Sequence, residues 1–333
     1  MLKGGIVGLG NLGKRYITLM DQESRTECIG IYDIDREKVR RISKETGLKG
    51  FASLQELLEA EGLNFVYIAT PDFAHKEPVL EAASRGLDIL VEKPLATSVA
   101  DAQEMLNAVK KAGVKAQIAF SNRFNQPFVV AKREVEEGRL GDILSINTRL
   151  SNTLMVPTRM LSWAAKSSPA WFLMSHTMDV AYWLHQKEAK TVYATGVKKV
   201  LVEKGIDTWD SLQVAVKYED GTQGFFESMW VLPEGKPLIV DFKFVMVGTK
   251  GAVEIDTHDQ MMHFIGERFE HSKTLDIELN GRLLGQTANT FQAYVDSLSR
   301  NEQPSPSLED GLRNVKMLEA VHTSAAEERI IEL

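Results

Sequence analysis

Up to about residue 120 the chain alternates short, continuous apolar runs with amphipathic segments. The runs at residues 5–8, 28–32, 65–70, 89–91 and 116–120 predict strands buried on both faces. Between them, amphipathic segments starting near Leu12, Arg36, Leu54, Ala74 and Val99 predict helices. Strand and helix in this rhythm imply a parallel sheet covered by helices on both sides, a doubly wound α/β domain.

After Arg123 the texture changes. A helix is expected over residues 128–137, closed by Gly138, and a strand-like run follows at 143–150. Another helix follows Ser168-Pro169, a capping residue and a first-turn proline. From about Val192 strands recur between turn signals at Glu219-Asp220-Gly221 and at 248–251, and residues 214–218 and 224–227 flank the first turn like a hairpin. Two helices, near 289–299 and 308–327, close the chain beyond a proline-bearing linker at 303–306. The division expected is a Rossmann domain at 1–121 and an α+β domain with a mostly antiparallel sheet at 122–333, the closing helix being able to pack back on the first.

Composition narrows the function classes. At 333 residues two medium domains fit better than one core. A net charge of −7 without any basic run argues against a nucleic-acid partner. Cys28 is the one cysteine and lies in an apolar run, so it reads as a core residue in a reducing compartment. Met1-Leu2-Lys3 leads straight into a strand, and no apolar stretch is long enough to span a bilayer. A cytoplasmic protein with no membrane partner is the expectation.

The chemistry begins at Gly8-Leu9-Gly10-Asn11-Leu12-Gly13. Gly8 ends a strand and permits a tight turn, Gly10 admits a pyrophosphate to the backbone, and Gly13 lets the helix pack close to the strand. The helix dipole and free amides favour phosphate at that point. Asp33, twenty residues beyond Gly13 at the end of the second strand, is placed to accept from the adenosine ribose hydroxyls. Its charge opposes a 2′-phosphate, so NAD is expected rather than NADP, and the nearest basic residue along the chain is Arg36.

Two further strand ends belong to the same crevice. One carries Thr70, Pro71 and, after Asp72, His75; the other carries Glu92, Lys93 and Pro94. Lys93 falls where the nicotinamide end of the cofactor belongs, and a lysine with a lowered pKa there suits proton exchange with a substrate hydroxyl. A solvated Glu-Lys turn before a proline is the bland alternative. In the helix after Pro169, Leu173, Met174, Thr177, Met178, Val180, Ala181 and Leu184 share an apolar arc, while Phe172, Ser175, His176, Asp179 and Trp183 project from the other side. Asp179 is within reach of the His176 ring. An ordinary surface or interface histidine is the alternative there.

Together the glycine loop, Ala69-Thr70-Pro71 with His75, Glu92-Lys93-Pro94 and Asn122-Arg123-Phe124 resemble the glucose–fructose oxidoreductase / inositol dehydrogenase / rhizopine catabolism family, Gfo/Idh/MocA. The resemblance runs through the second domain. It implies a large open sheet there, homodimers or homotetramers built through that sheet, and often a cis Lys93–Pro94 bond. It also implies Lys93 and His176 as catalytic residues, and a sugar, polyol or related hydroxyl or ketone as the small-molecule substrate. Asn122, Arg123, Asn152 and Trp163 are substrate residues by that pattern only. The chain departs from the family at Phe172, which stands at an aspartate position, and at Met174, which stands at a glycine position. Phe172 cannot exchange a proton, so Lys93 and His176 suffice, Asp179 substitutes, or the substrate differs and meets a more aromatic pocket.

Two other readings follow: an enzyme that keeps its NAD and oxidises only transiently, for elimination or glycoside cleavage, and a catalytically silent NAD-binding sensor. His185, His258, His263, His271 and His322 lack metal-ligand spacing, and no nucleophile elbow is present. No metal is expected.

Overall fold

A computed structural model describes residues 1–257, 263–265, 269–271 and 276–333. The chain divides into two units. The first is Met1–Ser121 with Ile277–Arg313, and the second is Asn122–Asp276 with Asn314–Leu333. The return of Ile277–Arg313 to the first unit departs from a second domain running unbroken from 122 to the end.

In the first unit, β1 (Leu2–Val7), β2 (Thr26–Tyr32), β3 (Phe65–Ile68), β4 (Asp88–Val91) and β5 (Ala116–Ile118) form one sheet in the order β2-β1-β3-β4-β5, every pair parallel. The connecting helices are α1 (Asn11–Gln22), α2 (Arg36–Thr46), α3 (Leu54–Leu58), α4 (Lys76–Ser84) and α5 (Val99–Ala112). β3 is buried at all four positions, as a strand with helices on both faces must be. The helix Gln286–Ser299 adds Phe291, Tyr294, Val295 and Leu298 to the core that Ile6, Tyr16, Phe65 and Tyr67 build. Such burial supplies about 1.5–3 kcal/mol for each large apolar side chain. Sequence pattern alone left this helix in the wrong unit, because an apolar stripe says that a face is buried but not against what.

The second unit holds a seven-stranded sheet. Its strands β6 (Ile143–Asn152), β7 (Ala189–Val197), β8 (Ser211–Tyr218), β9 (Gln223–Met229), β10 (Val240–Gly248) and β11 (Ala252–Asp256), with the closing strand Ile331–Glu332, lie in the order β11-β10-β6-β9-β8-β7-closing strand. All pairs are antiparallel except β6 with β9. Alternation in β8 and β9 buries Leu212, Val214, Val216, Gly224, Phe226 and Ser228, and turns Gln213, Lys217 and Phe225 outward. Helices α6 (Gln126–Glu136) and α7 (Ser175–His185) pack together in this unit. Among the described residues no helix is long and apolar enough to cross a membrane.

Candidate active site

The glycine loop leaves β1 at Val7 and enters α1 at Asn11. Gly8 has φ +94°, and a Cβ on it would lie 2.5 Å from the Ala69 carbonyl oxygen. On Gly13 a Cβ would lie 1.9 Å from the carbonyl oxygen of Gly8, so only glycine lets α1 sit this close to β1. Gly10 differs: a Cβ there would meet nothing within 4 Å. The space beside its backbone is open.

The start of α1 also differs from those of α2, α3 and α5. Ser53 caps α3, Asp35 caps α2 and Ser98 caps α5, each accepting from first-turn amides. Helix α1 has no side-chain cap and no acidic residue in its first turn. Uncapped amides at the positive end of a twelve-residue helix, beside an open glycine, fit a pyrophosphate. Asn11 and Leu12 open that helix and are exposed.

Asp33 stands just beyond β2 and is 8% exposed. Its Oδ2 accepts from the Leu9 amide at 2.7 Å and its Oδ1 from the Asp35 amide at 2.9 Å. The Lys38 ammonium lies 3.3 Å from Oδ2. Counting along the chain pointed to Arg36 as the basic neighbour, whereas the first turn of α2 carries Lys38 back to the carboxylate.

At the next strand ends, the His75 side chain is only 1% exposed. Its Nδ1 is 2.8 Å from the Pro94 oxygen and its Nε2 is 3.0 Å from the Thr70 oxygen. The ring of His75, expected at the cofactor, thus lies between the loops after β3 and β4, and as a neutral imidazole it donates to one of the two carbonyls. Thr70 is itself tied by its hydroxyl to the Ala74 oxygen at 2.9 Å, and Pro71 is half-buried between them.

Glu92 and Lys93 follow β4 and are each 8% exposed. The Lys93–Pro94 bond is cis. Burial pulls the Lys93 ammonium below the ordinary lysine value, against the opposing charges of Asp72 and Glu92. Burial likewise pushes Glu92 up, opposed by the Tyr67 hydroxyl, which donates to Oε1 at 2.6 Å, and by Lys93. Tyr67 in turn stacks on Tyr16 at 3.5 Å. Asp72 and Tyr67 were not singled out from sequence. The only signal was position, Asp72 at a strand's carboxyl end and Tyr67 inside that strand.

In the second unit the helix after Pro169 begins as a π-helical turn, Ala170–Met174, before becoming α at Ser175. Ser168 Oγ accepts from the Trp171 amide at 3.1 Å and so caps it. Helix α7 is covered on more than its apolar arc, Arg123 reaching Asp179 and Asn314 reaching the Ser175 oxygen, so the expected division into faces fails here. Ser175 and Asp179, expected off the core, are 0% and 3% exposed, whereas His176 and Phe172 are half-buried.

Asp179, expected as a possible stand-in for the missing aspartate, is engaged by Arg123. Its Oδ2 accepts from Arg123 Nε at 3.0 Å and its Oδ1 from Arg123 Nη2 at 2.6 Å. Arg123 and Asp179, both expected at the substrate, are buried against each other and join the turn Ser121–Phe124 to α7. Asn122 and Asn152 are also buried, Asn152 Nδ2 donating to the Ile239 oxygen at 3.2 Å. Phe172 meets Trp163 and Trp230 edge-on, with ring centroids 6.0 and 5.8 Å apart. Trp230, just beyond β9, is fully buried and backs the Phe172 ring from the core.

Among the described residues no three His, Cys, Asp or Glu side chains are grouped so as to hold a metal ion. His258 lies outside the described residues, as do the side chains of His263 and His271.

Comparison with known proteins gives two matches to family models. "Oxidoreductase family, NAD-binding Rossmann fold" (GFO_IDH_MocA) matches residues 2–120, and "GFO/IDH/MocA C-terminal domain" matches residues 128–254. Glucose-6-phosphate 3-dehydrogenase of Bacillus subtilis is 24% identical, covering 96% of this chain and 95% of the relative. 2,7-anhydro-N-acetylneuraminate hydratase of Escherichia coli is 27% identical over 78% of this chain and 68% of its own length. Scyllo-inositol dehydrogenase of Lactobacillus casei, solved with bound NAD(H) and scyllo-inositol, shares the fold at a TM-score of 0.84, with 20% identity over 100% of this chain and 99% of that one.

Proposed function

The chain belongs to the GFO/IDH/MocA family of NAD-binding oxidoreductases, and we propose that it oxidises a hydroxyl-bearing carbon of a sugar, polyol or related substrate, or reduces the matching ketone, with Lys93 exchanging the hydroxyl proton. The observation that carries this reading is a lysine buried at the carboxyl end of a Rossmann strand, its proton affinity lowered by that burial. Bound nicotinamide supplies the hydride acceptor or donor. Gly8, Gly10, Gly13 and the first turn of α1 hold the pyrophosphate, and Asp33 holds the adenosine ribose. Neutral Lys93 Nζ takes the hydroxyl proton in oxidation, and protonated Nζ returns it in reduction. Asp72 and Glu92 keep the protonated form from becoming too unfavourable, and His75 fixes the loop that carries Lys93. In the second unit, His176 is proposed to hydrogen-bond the substrate, with Phe172 and Trp163 offering it ring faces.

Incubation with a panel of sugars and polyols, followed by NADH absorbance, tests the reading. Turnover by wild type that Lys93→Ala abolishes supports it. Full activity of Lys93→Ala on a working substrate overturns it.

A second reading is favoured by the relative named as a hydratase and by Phe172, where the family aspartate would stand. NAD is then retained and no net redox change occurs. Product release without NADH accumulation, by protein that purifies with NAD attached, separates it from the first.

The open face of the second sheet, which exposes Tyr193 and Phe225 to 42% and 50%, is proposed to be covered by further copies of this chain in a dimer or tetramer. Light scattering on wild type and on Phe225→Lys checks it: a monomeric wild type is the contrary result.

A further inference from the structure

We propose that Lys38 admits the 2′-phosphate of NADP to the cofactor site, so that NAD is preferred but NADP also binds, with Lys38 setting the ratio. This rests on the NAD-binding role of the first unit and concerns only its adenosine end.

A lone carboxylate at the ribose rejects a 2′-phosphate by charge. Two like charges so close together near a protein surface repel, and an ammonium at a similar distance offsets that repulsion. Here the carboxylate is not alone, since Lys38 Nζ lies 3.3 Å from Asp33 Oδ2.

The arrangement also lets the ammonium leave its partner. Asp33 keeps two backbone donors, the amides of Leu9 and Asp35, whether or not Lys38 remains. Its buried oxygens therefore stay satisfied when the lysine turns away. The Lys38 side chain is 31% exposed on a flexible four-carbon stem with three donors, which suits a phosphate as a mobile point charge.

Backbone at this corner does not offer a substitute. The Asp35 side chain already accepts from the Glu37 and Lys38 amides at 3.1 Å each, so the start of α2 has lost the donors that would hold an anion. Positive charge for a 2′-phosphate must come from side chains, and among the described residues Lys38 is the cation in contact with Asp33.

The test is direct titration of the protein with NADH and with NADPH, read by cofactor fluorescence and needing no substrate. Wild type should bind both, NADPH more weakly. Lys38→Met should weaken NADPH by about tenfold or more while NADH changes by less than about threefold, a selective loss equal to one charge-assisted contact. Lys38→Arg should keep NADPH binding, and Asp33→Asn should tighten it. Thermal melts of each variant show that the fold is intact. Binding of NADH alone by wild type overturns the proposal, as does an equal loss of both cofactors in Lys38→Met. Failure of both cofactors to bind wild type would instead strike the assignment of the site itself.

Discussion

The two units make their chemistry in different ways. In the first, function is written mostly in backbone: a glycine that must turn, a glycine that must be approached, a helix start with no cap, and strands that all end on one edge. In the second, the proposed site depends on side chains carried by a π turn and a helix, whose exposure is set by the groups packed around them. The lesson is that a backbone-built site survives changes in most neighbouring side chains, whereas a side-chain-built one is redefined by each of them. Phe172 in place of an aspartate is such a redefinition.

The largest effect that would break this contrast is at Lys93, the side chain to which the proposed chemistry in the first unit is given. Lys93→Ala should lower turnover by about 10²–10⁴ while leaving NADH affinity within about threefold, as expected for loss of a general acid–base. Steady-state rates and a binding titration on the same protein separate the two.

Next comes the strut in the second unit. Asp179→Ala leaves the Arg123 guanidinium buried without its carboxylate and should cost about 3–5 kcal/mol of stability. Replacing both by Met and Leu should recover much of it in urea denaturation. If Asp179→Ala unfolds no earlier than wild type, the pair is not structural and Asp179 returns to consideration as a substrate group.

Gly10→Ala sharpens the backbone side of the comparison. Its Cβ would enter open space at an ordinary φ of −71°, so stability should change by less than about 1 kcal/mol. NADH binding should nevertheless weaken. A melt that falls with unchanged NADH affinity would contradict the role given to this glycine.

Smaller effects concern the setting of Lys93. Oxidation requires its neutral form, and burial lowers its pKa, so oxidation should rise with pH to a plateau whose midpoint lies below the ordinary lysine range. Tyr67→Phe removes the donor that helps Glu92 stay ionised. Lys93 then loses a neighbouring anion, and the midpoint should move to still lower pH, with a stability loss of about 1–3 kcal/mol for the unsatisfied carboxylate oxygen. A midpoint that moves upward would reverse this ordering of charges.

Much of this was legible without coordinates. All five strands of the first sheet were, because strands buried on both faces leave unbroken apolar runs. The hairpin around Gly221 was marked by its turn residues, and the phosphate-binding loop by three glycines in a fixed spacing. The environment of Asp33 was not legible, because Lys38 is farther along the chain than Arg36 but nearer in space once α2 turns. Nor was the role of His75, since a histidine at a strand end looks the same whether it faces a ligand or two carbonyls.

By itself, then, the sequence determined the five strands of the first sheet, where the glycine loop sits and that a carboxylate and a lysine follow at strand ends. These depend on local pattern, which neighbours in the chain are enough to set. Only the tertiary structure decided that Gln286–Ser299 completes the first core, that Lys38 sits at Asp33, that Tyr67 holds Glu92 and that Arg123 pairs with Asp179. Each of those is a meeting of residues remote in sequence or turned by helix geometry. Burial then converts the meeting into a change of charge state or stability, which no linear pattern records.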